Sequence, residues 1–515
     1  MKQDGTMSPA TVAALAEEYG TPLFVYDGCV LAESFRELRT ALPPEMEIFY
    51  SLKANPNISI TGLLAGYGAC AEVSSLVELR TAVMAGVDPR DIIFLGPGKS
   101  PEELAAAVAT GIYAVVVESF DEMAELSGVG ADQDVRQRVL VRVNPAAAGS
   151  AGAGLTMGGK PRQFGIDEDQ LLAAGCLPER FPQLDFAGAH VYLGTRILDA
   201  AVVVDNTARN LDLACRVCEA TGVPLDAVDV GGGLGVAYFE GESDPDMARL
   251  AEGMARVVGD FRTRHPHTRL LFEAGRYLTA RAGSYVTRVR YVKQSMGQWF
   301  AVADGGTNHH MAAGGIGSYV RRNFPVRVLT ADPAAPNVPD VPDRHWTVTG
   351  PLCTPSDTIL TNVTLPRLRA GDLLAIGRSG AYGASASPVL FLSHGYPAEV
   401  LHHQGRSYLI RTRDEPVDLL SRQHHHPFRS DPMDRTQVVD QIRTVIATLL
   451  GRDLPVLDED TKLTALGLDS TGVLELLIEL EQHAQFEVDA DELNPEVFAT
   501  VRSLTDYVMQ MTPVR

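Results

Sequence analysis

Between residues 47 and 275 the chain alternates two patterns. Short continuous apolar runs occur at EIFYSL (47–52), CAEVSS (70–75), DIIFLG (91–96), YAVVVES (113–119), RVLVRVN (138–144), DFAGAHVYL (185–193), DAVDV (226–230) and RLLFEAG (269–275). Between most of them lie stretches such as SLVELRTAVMAG and PEELAAAVATG, whose apolar positions recur at three and four residues and which end in glycine. The first pattern suits buried strands and the second suits amphipathic helices with glycine at the C-cap. Eight such strands alternating with helices predict an α/β fold, a (β/α)8 barrel over residues 28–280, whose functional groups sit at the C-terminal strand ends.

Beyond residue 280 the long helical patterns stop. SYVTRVRYVKQ, QWFAVAD, HWTVTG, DLLAIG, AEVLHH and RSYLIRT are β-branched runs, and they predict an all-β sandwich or barrel over 281–411, joined by TPLFVYD within residues 1–27. Residues 412–433, TRDEPVDLLSRQHHHPFRSDPM, are polar and punctuated by proline, and read as a linker. From 434 to 515, TQVVDQIRTVIATLL, LGLDSTGVLELLIELEQ and NPEVFATVRSLTDYVMQM predict a small bundle of four helices.

Composition narrows the function classes. At 515 residues, 45% hydrophobic and 21% charged, the chain is an ordinary globular one of two or three domains. No apolar run reaches the roughly 18 residues that span a bilayer, and MKQDGTMSPA does not read as a signal peptide, so a soluble cytoplasmic protein is expected. Six cysteines in so long a chain make no disulfide framework. Cys215 and Cys218 place two small groups on one helix face, and the triple histidine at 424–426 has no carboxylate or cysteine spaced to complete a site, so no metal is expected. A net charge of −21 argues against nucleic-acid and anionic-membrane partners. Residues 434–515 hold 16 acidic against 6 basic side chains, the mark of a separate acidic module.

The strand ends carry the candidate chemistry. Lys53 closes the first strand, His190 and Tyr192 share a face near the end of the sixth, Gly231-Gly232-Gly233 follows the seventh, and Glu273, Gly275 and Arg276 close the eighth. A glycine-rich turn lets backbone N–H groups approach a phosphate, and in barrels that site lies after the last two strands. A lysine facing a phosphate cup, a carboxylate near it and a flat side chain to cover a ring are what pyridoxal 5'-phosphate requires.

The motifs YSLKANP, AEVSSLVEL, FLGPGKS, RVNP, FGI, DVGGGLG, EAGR, GPLCTPSD and SGAYG occur in that order, and over about residues 10–410 the chain resembles the fold-type III pyridoxal-phosphate decarboxylases. The resemblance implies that Lys53 is the Schiff-base lysine and Glu273 the partner of the pyridine nitrogen. Gly232, Gly233, Gly275, Arg276 and Tyr382 hold the phosphate. Cys353 is the acid that protonates the reacting carbon, with Asp357 beside the substrate. In that family Cys353 comes from the second subunit, so a homodimer with shared active sites is implied.

Four departures from the family pattern matter. Tyr192 stands where histidine is usual, so either Tyr192 stacks on the ring or His190 compensates; Glu72 replaces aspartate and Gln163 a lysine. Thr354 stands where diaminopimelate and ornithine decarboxylases have a carboxylate that meets the distal ammonium. DGGTNHHMAAGG resembles a narrower branch, which acts on aminoacyl groups tethered to a carrier protein; there His309 and His310 face the substrate by that resemblance. LGLDS resembles the acyl carrier proteins, with Ser470 bearing 4'-phosphopantetheine, and Asp469-Ser470 also has the composition of a helix cap. Together these imply decarboxylation of a carrier-tethered amino acid, served by a phosphopantetheinyl transferase, an amino-acid-loading ligase and a downstream acyltransferase. The rivals are a decarboxylase of a free amino acid, a racemase (which has arginine where this chain has Glu273), and a non-catalytic cofactor-binding scaffold.

Overall fold

A computed structural model of the chain describes residues 7–146, 155–156, 161–315, 322–329, 344–426, 434–468, parts of 472–480, and 495–511. It divides into two compact units, Met1–Leu420 and Ser421–Arg515.

In the first unit eight parallel strands close on themselves: Met46–Ser51, Cys70–Val73, Ile92–Phe94, Ala114–Val117, Gln137–Asn144, Leu184–Val191, Ala227–Asp229 and Arg269–Ala274. Each pairs with the next, and the last pairs with the first through Phe272 opposite Ile48 and Ala274 opposite Tyr50. The eight predicted runs are these eight strands. Their helices start where a side chain can satisfy free N–H groups. Ser75, Ser119 and Asp199 cap the helices Leu76–Met84, Phe120–Asp132 and Ala200–Thr221, and Ser100 with Glu103 forms a capping box on Pro101–Thr110.

Strand alternation fills the barrel in layers. Phe49, Cys70, Ile93, Ala114, Leu140, Ala187, Ala227 and Leu271 form the dry middle. The floor is held by Arg269, which donates to Glu47 at 3.0 Å and to Asp91 at 3.0 Å while its guanidinium lies 4.0 Å over the Tyr113 ring. The sixth strand shifts register opposite Val139 and Leu140, at Gly188, where an added Cβ would meet the Ala227 carbonyl at 1.7 Å. Only glycine fits there, and the shift brings His190 level with Arg142 and Asp229.

The rest of this unit is a mixed sheet with nine strands among the described residues. Leu23–Asp27 lies inside it, antiparallel to Gly283–Ser295 and parallel to Ala398–His403. Two of its strands, Val326–Leu329 and Thr358–Leu365, were not predicted from the sequence pattern. The predicted linker also begins too early. Arg413 donates to the Pro22 carbonyl at 2.8 Å, Asp414 exchanges hydrogen bonds with the Tyr396 backbone at 3.0 and 2.9 Å, and Pro416–Leu420 is helical, so residues 412–420 belong to the sheet domain.

The second unit has its own core, in which Val438, Ile442 and Ile446 of helix Arg435–Leu450 meet Leu476, Leu480 and, from helix Val501–Met511, Leu504 and Val508. Asp434 and Gln437 form a capping box at the start of the first helix. Ser470 lies outside the described residues. Among those described, no helix is long and apolar enough to cross a membrane.

One buried ion pair ties the third and fourth strand ends together. Lys99 Nζ donates to Glu122 at 2.6 Å and to the carbonyls of Gly96 and Val116 at 2.7 and 2.8 Å, with side chains 1% and 8% exposed. Removing one partner of such a pair leaves an uncompensated charge, so Lys99→Met should lower stability by about 3–5 kcal/mol in denaturant titration. Burial already raises the Glu122 carboxyl above the usual carboxylate range, against the pull of Lys99. Without Lys99 the neutral acid is favoured further, so the deficit should be smallest below the unfolded glutamate pKa and should grow as pH rises.

Candidate active site

One layer above the dry core the inward positions turn polar: Ser51, Glu72, Glu118, Arg142, His190, Asp229 and Glu273, every one buried. Lys53 is the next inward position after Ser51, carried on the short turn Leu52–Ala54, and its side chain is 39% exposed to the mouth. Its Nζ donates to Glu72 at 2.9 Å and lies 3.9 Å from Glu273. Loss of water opposes the Lys53 charge, but Glu72 and Glu273 outweigh this and hold the ammonium above the ordinary lysine range.

Glu273 also pairs with His190 Nε2 at 2.9 Å. Burial alone would neutralise this acid; Lys53 first, and then His190, hold it well below the usual carboxylate range. Burial keeps His190 below the ordinary histidine range, so Glu273 is the anion of the pair and His190 its donor. Tyr192 stands beside the glycine turn, its phenol pushed up to about 12 by burial.

The cup is formed by close backbone packing. Gly231 and Gly233 have φ of +66° and +91°, and a Cβ on Gly232 would sit 1.8 Å from the Glu273 carbonyl. Gly275 has room for no Cβ either, with Ala54 Cβ 2.9 Å from where it would lie. Asn210 Nδ2 donates to the carbonyls of Val191 and Val230 at 3.2 and 2.9 Å, fixing the strand ends that carry Tyr192 and the glycines. Arg276 donates to Tyr238 Oη at 3.2 Å and lies 4.5 Å over the Tyr382 ring, and its Nε is buried without a hydrogen-bond partner. Tyr382 comes from the sheet domain with φ +54°, its N–H donating to the Ala54 carbonyl at 2.7 Å, while Asn55 Nδ2 donates to the Gly380 carbonyl at 3.1 Å. A glycine turn with close-packed backbone, a half-buried guanidinium with a spare N–H on its buried Nε and a tyrosine beside the lysine turn fit a phosphate group. Lys53 and the ionised Glu273 fit the carbonyl and the ring nitrogen of a pyridoxal cofactor.

The sheet domain places other expected residues differently. His309 and His310 were expected to face substrate, yet both are buried in the protomer. His309 Nε2 contacts the Gly395 carbonyl at 3.1 Å and His310 Nε2 contacts Ser379 Oγ at 2.9 Å. Burial lowers their pKa values to about 4 and about 3, those of neutral packing residues. Asp357, expected beside the substrate, is enclosed too: it accepts from Thr307 N and Oγ1 at 2.7 and 2.8 Å and from Leu352 N at 2.8 Å. It organises the loop on which Cys353 is exposed and Thr354 contacts Ser356 Oγ at 2.9 Å.

Residues 30–280 match the model of the pyridoxal-dependent decarboxylase, pyridoxal binding domain, and residues 440–508 that of the phosphopantetheine attachment site. An L-glutamyl-[BtrI acyl-carrier protein] decarboxylase from Niallia circulans is 37% identical over 81% of this chain and 97% of its own. The chain belongs to the pyridoxal-dependent decarboxylase family. A diaminopimelate decarboxylase from Methanothermobacter thermautotrophicus is 32% identical over 81% of the chain and 94% of its own. The diaminopimelate decarboxylase of Helicobacter pylori complexed with L-lysine superposes with a TM-score of 0.70 at 27% identity, covering 80% of this chain and 98% of that one. This decarboxylase is therefore a pyridoxal-phosphate-dependent carboxy-lyase with a phosphopantetheine carrier domain in the same chain.

Asp229, Asn210, Glu118 and Arg142 were not singled out from the sequence. Asp229 was readable in outline, since DVGGGLG places it two residues before the turn and on the inward parity of its strand. Arg142 donates to Glu118 at 2.8 Å, and Glu118 accepts from Gly96 N and Gly165 N at 2.9 and 3.1 Å; this staple joins three loops and left no local pattern.

The cup makes a sharp prediction. Gly232→Ala should lose bound cofactor after dialysis, read from visible absorbance, because its methyl cannot share space with the Glu273 carbonyl. Gly259→Ala, where a Cβ meets open space, should retain it. Lys53→Ala should form no borohydride-reducible link to the cofactor.

Proposed function

We propose that this enzyme removes the α-carboxylate of an amino acid held as a side-chain thioester on a phosphopantetheine arm. The observation that carries the reading is that one chain joins a decarboxylase barrel to a phosphopantetheine attachment domain. Its likeness to the glutamyl-carrier decarboxylase of Niallia circulans supports it, as does the neutral Thr354. The cofactor needs a free α-amine and the reaction a free α-carboxylate, so the thioester must use a side-chain carboxyl, as in a glutamyl or aspartyl group. Carbon dioxide leaves, one proton is taken up at the α-carbon, and the product is an ω-aminoacyl thioester, such as a 4-aminobutyryl unit, suited to natural-product biosynthesis.

When bound, pyridoxal phosphate supplies an electron sink for the pair left by the departing carboxylate. Lys53 would hold it covalently, Glu273 would keep its ring nitrogen protonated, and Tyr192 would lie against it. Gly232, Gly233, Gly275, Arg276 and Tyr382 would hold its phosphate. The exposed Cys353 thiol delivers the proton in the partner protomer of a homodimer, and Asp357 fixes the loop that presents it. Ser470 carries the arm; a phosphopantetheinyl transferase, a loading ligase and an acyltransferase serve it in the cytoplasm.

The test compares carbon dioxide release from free glutamate, aspartate, ornithine and lysine with mass loss from the same acids loaded on Ser470. Loaded glutamate or aspartate should react and the free acids slowly or not at all; fast release from a free acid with the loaded form inert would overturn the reading. Cys353→Ala should slow turnover by roughly 10²–10⁴ with cofactor binding preserved, the scale for a positioned acid.

A further inference from the structure

The second barrel strand ends at Val73, and the first residue beyond it is Ser74. Glu72 and Ser74 are two residues apart and share a face of the chain, with Ser74 nearer the mouth. Glu72 is fully buried and accepts one hydrogen bond at each oxygen: Lys53 Nζ donates to Oε2 at 2.9 Å and Ser74 Oγ donates to Oε1 at 2.9 Å. Among the described residues these are its hydrogen-bond partners. Ser74 itself is exposed and is held from the other side, its N–H donating to Glu78 Oε2 at 2.7 Å. Glu78 stands in the first turn of the helix Leu76–Met84, where its own N–H is capped by Ser75. Burial first, and then Glu72, push the Glu78 carboxyl up to about 7, so the two acids are near enough to repel. Ser74 stands between them and gives one donor to each.

Glu72 takes the place of an aspartate in the family pattern, and the extra methylene brings one more rotatable bond. Held by Lys53 alone, the carboxylate could swing about that bond and leave Oε1 as a buried acceptor without a donor, which is costly. We infer that Ser74 is a positioning residue of this site: its hydroxyl pins Glu72 so that the other oxygen faces Lys53 Nζ and holds the ammonium there. The inference rests on reading Lys53 as the lysine that bonds the cofactor. Such a lysine must give up a proton before its nitrogen can bond a carbonyl carbon. Glu72 Oε2 is the carboxylate oxygen at hydrogen-bond distance to receive it, whereas Glu273 at 3.9 Å is too far. Because Ser74 is exposed, water can enter the space that an alanine would leave, but as a donor that no covalent bond fixes.

Competitive acetylation of the cofactor-free enzyme, with Lys53 followed by peptide mass against a free-amine standard, reads how firmly the ammonium is held. At fixed pH, Lys53 in Ser74→Ala should label about 3–10-fold faster than in the parent, since a pKa lowered by up to about one unit raises the free amine up to about tenfold. Ser74→Thr keeps the hydroxyl and should label at the parent's rate. Lys99, sealed in its own ion pair, should stay equally unreactive in all three and so reports any loosening of the barrel. Equal labelling of Lys53 in the parent and Ser74→Ala, or a rise at Lys99 beside it, would overturn the inference. In the loaded enzyme Ser74→Ala should lower kcat by about tenfold with KM unchanged, the lower end for losing a partner that orients a functional group, and Ser74→Thr should restore it. A change in KM alone would make Ser74 a substrate contact and overturn the positioning role. Borohydride reduction and peptide mapping of the loaded parent test the reading beneath it: cofactor found on another lysine, with the acetylation result intact, would count against Lys53 and overturn the role of Ser74 with it.

Discussion

One ammonium shared by two buried carboxylates sets the conditions for the rest of the molecule. Lys53 has Glu72 at 2.9 Å and Glu273 at 3.9 Å, in a layer that also holds Glu118, Arg142, His190 and Asp229. Several kcal/mol are needed to strip each such ion of water, so every charge there must be answered by another. Arg142 answers Glu118, and Lys53 answers Glu72 and, more distantly, Glu273. Four carboxyls face two permanent cations. The layer thus holds more carboxyls than cations, and the protonated ring nitrogen of a pyridoxal cofactor would add a positive charge beside Glu273.

That layer exists because the barrel closes with inward residues at period two. A slip of one residue in any strand would exchange its inward and outward sets and place an aliphatic group where an acid is needed. The Gly188 shift is the one irregularity the sixth strand requires to bring His190 to the level of Asp229. The sheet domain contributes at a second remove, by hydrogen bonds from Tyr382 and Asn55 that lock its turn onto the turn of Lys53.

Strands buried on both faces leave continuous apolar runs, so the eight barrel strands and the groups at their ends were legible in the sequence. Lys53, the glycine turn and Arg276 are local to such ends. Val326–Leu329 was not legible because it is only four residues long, nor Thr358–Leu365, whose TILTNVTL is rich in threonine and partly exposed. His309 and His310 show a deeper limit. A buried histidine and a substrate-facing one have the same letter, and the partners that distinguish them, Ser379 and Gly395, come from 69 and 86 residues away. Residues 412–420 look like a linker for the same reason, since backbone bonds to Pro22 and Tyr396 leave no mark in composition.

The electrostatics also bear on why the proposed substrate suits this site. A distal ammonium brought into a closed mouth needs a carboxylate to meet it, and such a cation without a partner is penalised by its lost hydration. By the family resemblance, diaminopimelate and ornithine decarboxylases have that carboxylate at the position of Thr354. A thioester is uncharged and needs no counter-ion, so threonine there costs a tethered substrate nothing while it disfavours a free diamine. Covalent tethering supplies, through effective concentration, the binding that the lost ion pair would have given. The substitution lies on the Cys353 loop, which Asp357 organises through its own hydrogen bonds to Thr307 and Leu352, so the charge at 354 is free to vary without disturbing the loop's anchor. Under the proposed function, a change of substrate class therefore requires no change in the layer that holds Lys53 and Glu273.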